Sequence, residues 1–76
     1  MIEDKKEAKI LARNIIADLI SEIGKKEVNE AKKMGMATSI YASQIANAKE
    51  KFLAQISPEL TDAPEIFEVE ISKQFM

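Results

Sequence analysis

The sequence predicts a mostly α-helical protein, a helical hairpin or three-helix arrangement with one short C-terminal β-strand or extended segment. Three observations carry that expectation. Apolar residues recur at three- and four-residue spacing over residues 2–23. The fifteen residues from Met34 to Ala48 hold no Asp, Glu, Lys or Arg, although 32% of the chain is charged. After Pro58 the pattern changes, with Phe67, Val69 and Ile71 alternating with Glu68, Glu70 and Ser72.

The first helix is the clearest. Ala8, Leu11, Ile15, Leu19 and Ile23 form an apolar stripe, widened by Ile16 and Ile20. Glu3 and Asp4 suit its start, where negative charge meets the positive end of the helix dipole. Gly24 stands where a helix-ending residue belongs, so a stop or sharp bend is expected there.

Residues 26–34 continue helically, with Val28, Ala31 and Met34 on one face and Met34 expected in the core. Lys32, Lys33, Gly35 and the apolar Met36 then give the residue order of a Schellman ending. Thr38 or Ser39 is a suitable cap for a third helix running to about Ile56. Ser57-Pro58 closes it, because the residue before proline is pushed out of the helical region.

Residues 66–72 read as a half-buried strand, rich in β-branched and aromatic side chains. A helix is the rival reading. Asp62 followed three residues later by Glu65 has the acceptor pattern of a capping box, and Pro64 is tolerated in a first turn. The chain thus divides into a helical part, 1–57, and an acidic extended segment, 58–76. The segment 58–76 carries one basic and five acidic side chains, against a net charge of −2 for the whole chain.

Composition excludes several functions. No cysteine or histidine is present, which removes disulfides, thiolate metal cages and the usual general base. Glu65, Glu68 and Glu70 lack the spacing of a calcium loop, and no glycine-rich phosphate loop occurs. Ser39 or Ser43 beside Lys33 or Lys49 is the one formal nucleophile pairing, and no spacing favours it. The sequence therefore predicts no enzyme, no catalytic residue, no metal site and no cofactor. The charged start MIEDKKEAK is unlike a secretory leader, and no apolar run is long enough to span a bilayer. A cytoplasmic protein without membrane contact is expected.

The uncharged stretch is the main functional clue. On a continuous helix, Gly35, Ser39, Ser43 and Asn47 form one i,i+4 row, and Ala42 and Ala46 flank it. Small side chains let two helix backbones approach closely. A chain of 76 residues has little else with which to cover this face, and no disulfide or metal to staple its fold. The expectation is a homo-oligomer, a homodimer first, whose interface comprises Gly35, Ser39, Ala42, Ser43, Ala46 and Asn47. Met34, Met36, Ile40, Phe75 and Met76 could add an adaptable surface. The row Phe67, Val69 and Ile71 is the expected partner-facing element for another protein.

The alternative is a DNA-binding regulator with a degenerate helix-turn-helix at 27–47. Ala31 and Gly35 stand four apart, as in many such motifs, and a polar Thr38-Ser39 follows. Glu30 and Tyr41 depart from that pattern, and no cation appears on the reading helix until Lys49. Nucleic acid is therefore not the expected partner.

Overall fold

The computed structural model describes all residues, Met1–Met76. Five helices hold about three-quarters of the chain: α1 (Lys5–Ile23), α2 (Lys25–Lys33), α3 (Ala37–Ile40), α4 (Ala42–Ala54) and α5 (Ala63–Phe75). The three long ones, α1, α4 and α5, pack on one another, and α2 with α3 forms a short arm between α1 and α4.

Two glycines set where the first half of the chain turns. Asp4, in extended geometry, caps α1 by accepting a hydrogen bond from the Glu7 N–H at 3.2 Å. Gly24, at φ 113° and ψ 122°, ends α1 and begins α2. Its N–H donates to the Ile20 carbonyl and its carbonyl accepts from Val28. That backbone conformation is closed to residues with a Cβ. Gly35, at φ 68°, ends α2 as the sequence predicts. Met36 N–H donates to the Ala31 carbonyl and Gly35 N–H to that of Lys32, the paired bonds of a Schellman motif.

Relative helix directions follow from contacts along α1. Lys5 lies 3.6 Å from Asp62 where α1 and α5 begin, and Arg13 lies 4.0 Å from Glu70 two turns on. These two helices therefore run parallel. At the start of α1, Ile2 N–H donates to the Gln55 carbonyl at 2.9 Å, and Ser57 N–H donates to the Ile2 carbonyl at 2.8 Å. This parallel bridge sets the start of α1 beside the end of α4, so α4 runs opposite to α1.

The core draws on every helix. Phe52, Phe67, Phe75, Ile16 and Val28 are its largest fully buried side chains. The rings of Phe52 and Phe67 lie 5.4 Å apart. Ala8 and Ala12 are fully buried in the centre of the α1 stripe, where small side chains allow close helix approach.

Three sequence expectations are corrected. The C-terminal strand is instead α5, and the segment 58–76 is mainly helical rather than extended. A lone strand leaves both its edges unpaired, whereas a helix satisfies its own backbone. The helix also gathers Ala63, Ile66, Phe67, Ile71 and Phe75 onto one buried face, and Pro64 lies in its first turn. The second correction concerns the third helix, which is two elements rather than one. Tyr41 leaves helical geometry at φ −103° and ψ 24°, and neither Thr38 nor Ser39 caps either piece. Thirdly, Met34 lies outside the core: as the last residue before the Gly35 turn it is 67% exposed.

Candidate functional site

The uncharged segment wraps around one end of the molecule, built by the Gly35 turn, α3 and the first half of α4. Ala37 and Ala48 are buried, and Tyr41 and Ile45 are half-buried against the core. Tyr41 is held by Phe75, with ring centroids 6.4 Å apart and planes tilted by 60°. Fixing that inner side turns the other side outward. Gly35, Ser39, Ala42, Ser43, Ala46 and Asn47 are all exposed.

Large apolar side chains join them there. Met36 is 45% and Ile40 50% exposed, and Met34 precedes them at the turn. In the sequence these side chains stand second to the small-residue row as a contact surface. The signal was their position around Gly35, where the chain turns at the surface. The row itself is less regular than a single helix makes it, because Gly35 sits outside α3 and Tyr41 interrupts the path to Ser43.

Next to Asn47 lies a cleft of about 260 Å³ between α1 and α4. Asp18 and Glu22 face it from α1, and Gln44, Asn47 and Lys51 face it from α4. It is smaller than the roughly 300–1,000 Å³ common for small-molecule sites. No group of three or more acidic side chains is arranged to hold a metal ion. The side-chain hydrogen bonds join no serine hydroxyl to a lysine.

The C-terminal row is divided by the helix. Phe67 is fully buried and Ile71 nearly so, while Val69 is 48% exposed. Glu68 pairs with Lys49 at 2.6 Å. Glu70 is buried, with Arg13 at 4.0 Å, Lys73 at 3.8 Å and a hydrogen bond from the Gln74 amide. In the helix-turn-helix segment, the element after the turn is the four-residue α3, ending at Ile40.

The chain matches no family model, no curated protein and no solved structure. No helix is long and apolar enough to cross a membrane. The reading of function therefore rests on the surface itself.

Proposed function

We propose that this chain is a small, non-enzymatic protein–protein interaction protein, a cytoplasmic regulator, adaptor or assembly factor, that self-associates through residues 34–48. One observation carries the reading. Three large apolar side chains, Met34, Met36 and Ile40, stand exposed within a stretch that holds no charge to solvate it. Isolated apolar side chains are ordinary on protein surfaces; three exposed within seven residues, with no charge among them, support a contact site. Methionine suits such a role because its unbranched side chain adapts to a facing surface. Of the C-terminal row, Val69 is the side chain left outside to meet a further partner, since Phe67 and Ile71 complete the core.

The test is Ser43→Lys in the full chain, followed by sedimentation velocity and circular dichroism. Ser43 is exposed, so helicity should persist while the oligomer shifts toward monomer. An oligomer unchanged by this charge removes the assignment. Salt-sensitive retention on heparin would instead support the DNA-binding reading.

A further inference from the structure

We infer that the uncharged segment packs antiparallel against the same segment of a second copy, across a two-fold axis that brings Lys33 of each chain to Glu50 of the other. This rests on the self-association proposed above and adds its geometry. In sequence the segment is flanked by Lys33 before it and by Lys49 and then Glu50 after it. At its start Lys33 is exposed and joins none of the chain's ion pairs. At its end Lys49 is already held by Glu68 at 2.6 Å, which leaves Glu50 exposed and unpaired.

Glu50 stands three and four residues beyond Asn47 and Ala46 and seven beyond Ser43, so it shares their face of α4. Lys51 lines the cleft beside Asp18 and Glu22, as Asn47 does, so Asn47 stands at the edge between that cleft and the face that carries Ser43, Ala46 and Glu50. The surface therefore runs from a free cation, through Met34, Met36, Ile40, Ser43 and Asn47, to a free carboxylate. Two copies laid parallel would set like charges together at both ends. Laid antiparallel, they oppose unlike charges, and two-fold symmetry makes each pair twice. The apolar side chains between them would be removed from water by the same contact.

Charge exchange tests the geometry. Sedimentation equilibrium would be measured for the wild-type chain, Lys33→Glu, Glu50→Lys and the double variant, with circular dichroism confirming that each folds. Either single reversal should weaken dimerisation about tenfold or more, because each is felt twice in a symmetric dimer. The double variant should return to within about threefold of wild type, the mark of a direct pair. A wild-type dimer that ignores the single changes, or a double variant weaker than either single, overturns the antiparallel pairing and leaves self-association standing. A wild-type chain that stays monomeric overturns both.

Discussion

The Tyr41 ring packs 6.4 Å from the Phe75 ring and joins the break between α3 and α4 to the last turn of α5. Tyr41 is the point where the uncharged segment leaves helical geometry, and Phe75 is almost fully buried. The contact fixes which side of the segment faces inward and hence which side is free.

Replacing Tyr41 by Ala should therefore destabilise the fold by about 1–3 kcal/mol, through lost aromatic contact and burial. Tyr41→Phe should cost far less, since the hydroxyl makes no hydrogen bond within the chain. Urea denaturation midpoints compare the two. Equal costs would show that the ring is not what holds the segment.

The helical identity of α5 has a sharp consequence for Phe67 and Val69. Both would lie on one face of a strand, but the helix buries Phe67 and leaves Val69 48% exposed. Phe67→Ala should cost about 3–5 kcal/mol. Val69→Asp should change stability by under about 1 kcal/mol and leave the far-ultraviolet helical signal intact. Similar large losses for both would return the segment to an extended form.

Gly24 should resist substitution more than Gly35. Its φ of 113° is closed to other residues, and an added Cβ would meet the Glu27 carboxylate. Gly24→Ala should cost about 2 kcal/mol, whereas Gly35→Asn, in the left-handed region at φ 68° with open space around it, should cost a few tenths. Thermal midpoints would report the order, and a reversed order would contradict the turn geometry described.

Glu70 is a buried carboxylate whose two cations, Arg13 and Lys73, are themselves largely exposed. Desolvating such a charge is costly, and its partners stand 4.0 and 3.8 Å away. Glu70→Met should be neutral or raise stability by about 1–2 kcal/mol, seen as a thermal midpoint higher by several degrees. A marked loss would mean that the ion pairs contribute net stability.

Much of this fold is legible in the sequence, and the gaps have physical causes. The stripe in α1, the break at Gly24 and the Schellman turn at Gly35 each depend on neighbours within a few residues. The burial of Ala12 was less visible, because it depends on α5 and α4 lying close by. In α5 the period-two pattern of Phe67, Val69 and Ile71 coexists with a helical set, Ala63, Ile66, Phe67, Ile71 and Phe75. Glu70 tips a sequence reading toward strand because a buried carboxylate is rare. Lys73 comes beside it only once the segment is a helix, and Arg13 only once α1 and α5 lie parallel. Met34 is obscured in the same way, since hydrophobicity and its place beside Val28 and Ala31 assign it to the core, whereas it stands 67% exposed.

The account depends above all on what covers the surface formed by Met34, Met36, Ile40, Ser43 and Asn47. Sedimentation equilibrium of the wild-type chain over micromolar to millimolar concentration addresses it directly. The expected result is an apparent mass that climbs with concentration from 8.5 kDa toward twice that value. A mass that stays at 8.5 kDa up to about 1 mM, where even a weak self-association of about 4 kcal/mol would show, would contradict it.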